Sequence, residues 1–264
     1  MRSTGPQSLR TFWSQVILLL GSVLMLYPFV VMIVISFPHG STEAYSRLFQ
    51  TLPMGWYTWN SFLVAVLSTI GTLILSAMAG YGFARLHFKG KSWLFFLFLI
   101  TLMVPPQVNM VPLFFLMKQF HWLNTMNALV IPGIFSAFGV FLMRQWFQGF
   151  PKELEEAAYL DGCSVWQTFW WIAFPLAAPA VATLGIFAFI NAWNSFMWPL
   201  VVTHSDSVRT LPVGLATLKA SFRDIVDWPV VMAGATVSIL PVVLVFLIGQ
   251  KAFIKGIMSG ASKE

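Results

Sequence analysis

A chain of 264 residues that is 58% hydrophobic and only 9% charged is not an ordinary water-soluble domain, in which about a quarter of residues carry charge. Its formal net charge of +6 does not point to nucleic acid, because the basic residues are scattered between apolar runs, as the positive-inside rule of membrane proteins requires. The one cysteine, Cys163, excludes an internal disulfide or a cysteine metal cluster, and His39, His87, His121 and His204 lie between apolar runs without ligand spacing.

A helix that crosses about 30 Å of hydrocarbon needs about 20 apolar residues, and six stretches qualify. The first, about residues 16–37, has no charge and no small-residue cleavage site after it, so it reads as a retained span rather than a signal peptide. The second covers about residues 60–84, where Ser76 and Gly80 stand four apart and let another helix approach closely. Between these two, Trp56, Tyr57 and Trp59 suit an interfacial aromatic belt. The third span, about residues 92–117, is interrupted by Pro105-Pro106, which removes backbone donors and forces a kink. With Gln107 and Asn109 beside it, this backbone either lines a cavity or marks the membrane edge. The fourth span covers about residues 126–143.

Residues 150–175 then break the apolar pattern. Four of the nine acidic residues lie here, Glu153, Glu155, Glu156 and Asp161. Pro151 suits a first helical position, and the acids after it sit at the positive end of the helix dipole. Gly162 can take the left-handed conformation that ends a helix. Ser164 and Gln167 form an S-x-x-Q capping box that starts a second helix, whose length Pro175 limits. Beyond Pro179 come the fifth span, about residues 180–201, and the sixth, about residues 229–250, with Pro241 inside it. With the amino terminus in the cytoplasm, ten of the fifteen Lys and Arg fall on the inner side. That bias places both termini and the 150–175 loop in the cytoplasm.

None of the six stretches holds Asp, Glu, Lys or Arg. Such residues usually mark ion or proton pathways, so their absence argues against a secondary carrier coupled to ions and against an intramembrane hydrolase. No G-x-x-x-x-G-K-[ST] phosphate loop is present, so energy from ATP would have to come from another polypeptide.

Glu156-Ala157-Ala158, then Gly162, Ile172 and Phe174-Pro175 at fixed spacing, resemble the EAA loop of ABC importer membrane subunits, with Phe174 where the family usually has Leu. Asn60-Ser61-Phe62, the run Ala79–Arg85, the run Phe141–Gln145, Trp193-Asn194 with Pro199-Leu200, Thr210-Leu211-Pro212 and Gln250–Phe253 are similar to the binding-protein-dependent sugar-importer branch, which includes the maltose importer's second membrane subunit. The resemblance implies one all-α, six-helix transmembrane permease domain of the type I importer fold over residues 1–264, in a prokaryotic plasma (inner) membrane. It implies a second permease subunit, usually a different chain, two ABC ATPase subunits and an extracytoplasmic solute-binding protein as partners. No cofactor belongs to this chain; ATP and Mg would be bound by the ATPase, and this chain would catalyse no reaction itself.

The elbow would then be the coupling element. Glu155 or Glu156 pairs with basic groups of an ATPase groove, Ala157 and Ala158 permit close approach, and Asp161, Gly162 and Pro175 shape the turn. In the fifth span Asn191 and Asn194 are three apart, with Trp193 and Trp198 close by. They suit either a path for a neutral, hydroxyl-rich solute or hydrogen bonds between helices, and Gln107 and Asn109 are further candidates for that path. The basic tail, residues 251–264, is either a frayed end or a segment that reaches between the ATPases.

Overall fold

The computed structural model describes residues 6–221 and 226–261, with side chains for residues 11–218 and 226–250. The side chains of the tail, residues 251–264, and those of Arg2, Arg10, Lys219 and Arg223, which enter the charge count above, lie outside the described residues. The described residues form helices and connecting turns, and no strand occurs among them. The chain divides into two compact units: Met1–Met54 with Leu215–Ile239, and Gly55–Gly214 with Leu240–Glu264.

The smaller unit contains α1 (Pro6–Ser36) and α2 (Glu43–Thr51). Almost every described side chain of α1 is exposed, as suits a helix whose surroundings are lipid or other subunits. Ala44 and Leu48 of α2 are fully buried, and Ser36 and Tyr45 hydroxyls hydrogen-bond at 2.9 Å. Arg47 pairs with Asp227 at 2.6 Å across 180 residues of sequence.

The larger unit is built on α3 (Met54–Arg85), which starts at the unit boundary. α4 (Lys91–Ile100) and α5 (Pro106–Gln119) follow it, joined through a single tight turn at Thr101–Met103. The axis turns by 101° between these helices. The prolines explain the turn. A residue before proline is pushed out of the helical region, and both Val104 (ψ 118°) and Pro105 (ψ 133°) are extended, while Pro106 opens α5 where no N–H is needed. Next come α6 (Met126–Val130), a turn at Pro132–Ile134, and α7 (Ala137–Gln148), capped by Ser136, whose hydroxyl accepts from Gly139 N at 3.0 Å.

The acidic stretch gives α8 (Lys152–Leu160) and α9 (Val165–Thr168). α9 runs through one wide π turn, Phe169–Ala173, into α10 (Phe174–Leu176). α11 (Ala178–Trp193) leaves it at 76°. α12 (Met197–Val202), α13 (Leu211–Ser221) and α14 (Trp228–Ala261) complete the order, the last two lying partly in each unit. Among the described residues, four helical segments are long and apolar enough to cross a membrane: Thr11–Ser36, Met54–Arg85, Met126–Gln148 and Trp228–Gln250. Counting each bent pair as one span gives up to six.

The core of the larger unit depends on small residues. A Cβ on Gly80 would stand 2.6 Å from Met143 Cβ and 2.8 Å from the backbone nitrogen of Arg144. One turn earlier Ser76 lies against Gly139. α3 and α7 therefore approach at the small-residue face that Ser76 and Gly80 mark in the sequence.

Candidate functional site

The elbow is built from local rules. Pro151 is extended and precedes α8 rather than opening it, so the helix begins at Lys152, one residue later than a proline-first helix would. Glu153 and Glu155 lie in its first turn, where backbone N–H groups favour negative charge. At the far end Asp161 is the last residue before Gly162, which has φ +82°. Cys163 N donates to Ala158 O at 2.9 Å and Gly162 N to Tyr159 O at 3.1 Å, the paired 6→1 and 5→2 bonds of a Schellman stop. Ser164 and Gln167 then cap each other: Ser164 N donates to Gln167 Oε1 at 2.8 Å and Gln167 N to Ser164 Oγ at 3.3 Å. Two helix ends are thus satisfied within four residues, so the bend needs no outside support for its backbone. Pro175 is exposed and falls inside α10, so the second arm runs one residue past it before breaking at Ala177.

The two glutamates of the elbow have different fates. Glu155 is buried, and its Oε1 accepts from Arg85 Nε at 2.9 Å. Both side chains are about a tenth exposed (9% and 11%). Arg85 also donates through Nη2 to Phe150 O at 2.7 Å and lies 5.7 Å from the centre of the Phe150 ring. Glu156 and Ala157 are exposed, while Ala158 is buried against the chain. Of the two acids offered by the sequence for pairing with another protein, Glu155 is already occupied and Glu156 is free to face outward. Beside it Leu160 is 89% exposed, and Trp171 on the second arm is 80% exposed.

Underneath, Tyr81 stands one turn before Arg85 on α3. Its ring meets Phe147 at 5.3 Å and Phe169 at 5.2 Å, in a cluster with Met143, Phe150, Ala173 and Ala177. Lys91 Nζ donates to the carbonyls of Ala84 and Leu86, closing the end of α3. Sequence reasoning gave Tyr81 and Arg85 no role. The available signal was Arg85 itself, a lone cation at the end of an uncharged helix, which calls for a carboxylate partner.

A second feature is a cavity of about 330 Å³ between α3, α5, α7, α11 and α12. Ser68, Thr72, Ser136, Asn191, Ser195 and Trp198 supply its polar groups, and none of its lining residues is charged. Thr72 Oγ1 donates to Gly133 O at 3.2 Å and Trp198 Nε1 to Ala128 O at 2.8 Å, so both are already engaged. Ser68 Oγ is buried without a hydrogen-bond partner. Of the five residues singled out for a solute path, Asn191 lines this cavity. Trp193 is buried (1%), Asn194 lies just past the end of α11, and Gln107 and Asn109 are exposed at the start of α5.

At the other end of α3, Asn60 Nδ2 donates to the carbonyls of Ser207 and Arg209 at 2.9 and 3.0 Å, and Leu211 N donates to Ser61 Oγ at 2.8 Å. Tyr57 OH donates to Asp206 Oδ1 at 2.7 Å, which also pairs with Arg209. Asn124 Oδ1 accepts from the backbone nitrogens of His204 and Ser205. Two of the short segments noted in the sequence, residues 60–62 and 210–212, meet here.

Residues 73–259 match the model of the binding-protein-dependent transport system inner membrane component family. The chain is 40% identical over 210 residues to the arabinooligosaccharides transport system permease protein AraQ of Halalkalibacterium halodurans, covering 79% of this chain and 75% of that one. It is 34% identical over 271 residues to the trehalose/maltose transport system permease protein MalG of Thermococcus litoralis, covering 94% and 97%. It is also 32% identical over 255 residues to the lactose transport system permease protein LacG of Rhizobium radiobacter, covering 92% and 93%. Its fold matches a chain of the crystal structure of a bacterial ABC transporter involved in import of the acidic polysaccharide alginate, with a TM-score of 0.84, 23% identity and coverage of 96% and 100%. The chain is an all-helical, multi-pass membrane protein with the type I ABC importer permease fold, and it belongs to the binding-protein-dependent transport system inner membrane component family.

Proposed function

We propose that this permease subunit imports a neutral sugar or oligosaccharide, receiving it from an extracytoplasmic binding protein and driven by two ATPase subunits that hold ATP and Mg. The elbow, residues 150–175, is the coupling element. The observation that carries this reading is the outer face of α8, where Glu156, Ala157 and Leu160 are exposed together beside the Gly162 turn. A charged residue, a small one and an almost fully exposed leucine make a face suited to a protein groove rather than to water. Closure of the ATPases on ATP would move the docked elbow, and with it the spans, between inward- and outward-open states.

The wider architecture follows from the same reading. Residues 1–264 form one transmembrane permease domain of six spans, each bent pair counted as one, with both termini and the elbow in the cytoplasm and a second permease subunit, a different chain, as its mate. Asn191 is the residue of choice for touching the solute, with Asn194, Trp193, Gln107 and Asn109 farther along the path. The sugar class draws on relatives named for arabinooligosaccharides, trehalose/maltose and lactose. The uncharged cavity lining suits a neutral member of that class better than an acidic one.

Purification from native membranes under mild detergent tests the assembly. An ATPase, a second permease and a binding protein should copurify, and ATP with vanadate should stop uptake in proteoliposomes. The binding protein, screened with arabinotriose, maltotriose, lactose and trehalose, identifies the solute. Isolation of the chain alone, active on an ion gradient, would overturn the proposal. Replacing Asn191 by Ala should slow uptake of the sugar so identified without loss of assembly.

A further inference from the structure

We infer that the last turn of α3 is a clamp that makes the elbow and α3 move as one body, with Arg85 and Glu155 as its positioning residues. The inference deepens the proposed coupling role and rests on it. Tyr81 and Arg85 are four apart, hence on one face of α3, and each grips a different arm. Arg85 takes the first arm through the carboxylate of Glu155 and the carbonyl of Phe150. Tyr81 takes the second arm through the ring of Phe169, and also the end of α7 through Phe147.

The chemistry of the two grips differs, and the difference matters. Rings in edge-on or tilted contact, as Tyr81 makes with Phe147 and Phe169, shift against one another at little cost, whereas a buried charge cannot leave its partner without being stranded in a medium that solvates it poorly. At about a tenth exposure on both sides, the Arg85–Glu155 pair is the element that resists separation when the elbow is pushed. Arg85 has no slack either, since Nη2 is tied to the backbone carbonyl that leads into α8. Local bonds fix the shape of the elbow itself, through the Gly162 stop and the Ser164–Gln167 cap. What those bonds cannot supply is a hold on the membrane helices, and the pair at Arg85 supplies it. A push on the outer face of α8 therefore reaches the 32-residue helix α3 directly, through the ion pair.

The test measures the joint directly, in the whole importer assembled from cysteine-free partner subunits. One spin label goes on Cys163, the one cysteine of the chain, and a second on Leu86→Cys, at an exposed position just past α3. Electron–electron double resonance then compares the nucleotide-free complex with the complex trapped by ATP and vanadate. With Arg85 and Glu155 intact, the distance should be the same in both states. In Arg85→Met it should shift by about 2 Å or more on trapping and broaden. Glu155→Gln, which keeps the shape of the side chain and a neutral acceptor, carries the same test with a smaller shift if Arg85→Met does not assemble. A distance that already changes in the unaltered pair, or stays fixed in Arg85→Met or Glu155→Gln, overturns the clamp. Failure of any ATPase to copurify would instead overturn the proposed coupling role.

Discussion

At its first turns α3 is fastened by several separate hydrogen bonds, from Tyr57 to the exposed carboxylate of Asp206 and from Asn60 and Ser61 to neutral groups, and at its last turn by a buried ion pair. Asn60 and Ser61 reach the 203–211 loop through backbone carbonyls and an amide, and Asn124 does the same from a neighbouring loop. Arg85 depends on one carboxylate and one carbonyl. The first arrangement divides the hold among several bonds, each worth about 0.5–1.5 kcal/mol net. The second concentrates it in a pair whose separation strands a charge. A distributed tie fixes a loop in place, and a concentrated tie transmits a displacement. That contrast suits an end that must stay formed and an end that must pass on motion.

The contrast has a measurable form. Arg85→Met should destabilise the folded chain by about 3–5 kcal/mol, because Glu155 is left buried and charged. Asn60→Ala, which orphans two carbonyls, should cost about 1–3 kcal/mol. Unfolding titrations in mixed micelles compare the two, and equal costs would erase the distinction. The double variant Arg85→Met with Glu155→Leu sharpens it. A buried ion pair replaced whole by apolar side chains is often neutral, so the double change should cost less than Arg85→Met alone. Removing both members of a purely packing contact would cost more than removing one.

Two glycines in the last two turns of α3 test its packing separately from the ion pair. Gly80→Ala should cost about 1–3 kcal/mol, since its Cβ would meet Met143 Cβ and the backbone of Arg144, which has little room to retreat. Gly82→Ala, where the nearest atom is Leu86 Cδ1 at 4.0 Å, should be neutral or stabilise by up to about 1 kcal/mol through helix propensity. Equal effects at the two glycines would deny the close approach of α3 and α7.

How much of this was legible in the sequence depended on the range of the interaction. The Ser76–Gly80 face, the left-handed Gly162, the Ser164–Gln167 box and the bend at Pro105-Pro106 follow from residues at most four apart, and each stands in the structure where local rules put it. The choice between Glu155 and Glu156 was not legible. Which acid turns inward is decided by Arg85, 70 residues away. Asn191 lines the cavity, and Asn194 caps the end of α11, its backbone nitrogen still donating to Ile190 O at 3.0 Å. Gln107 and Asn109 are neighbours of the bend in sequence, yet Pro106 and Met110 line the cavity there and the two amides do not. Spacing gives the period of a helix; it does not give the angle at which neighbours meet it.

Changes at the bend of the elbow should stay more local than those at Arg85, and they separate its shape from its attachment. Gly162 has open space around a built Cβ, so substitution there costs backbone strain alone. Gly162→Val should lose about 1–2 kcal/mol and Gly162→Asn less, since Asn tolerates the left-handed region. If Asn and Val reduced ATPase copurification equally, bulk in the groove rather than the turn would be the cause. Ser164→Ala should cost about 1 kcal/mol, and that cost should remain local. Phe169 holds the second arm against Tyr81 independently of the cap, so amide exchange should quicken at residues 165–168 while the global unfolding midpoint barely moves. Faster exchange spreading to α8 would mean that the two arms share one support, and the Gly162 turn would then be a rigid corner rather than a joint held from beneath by α3.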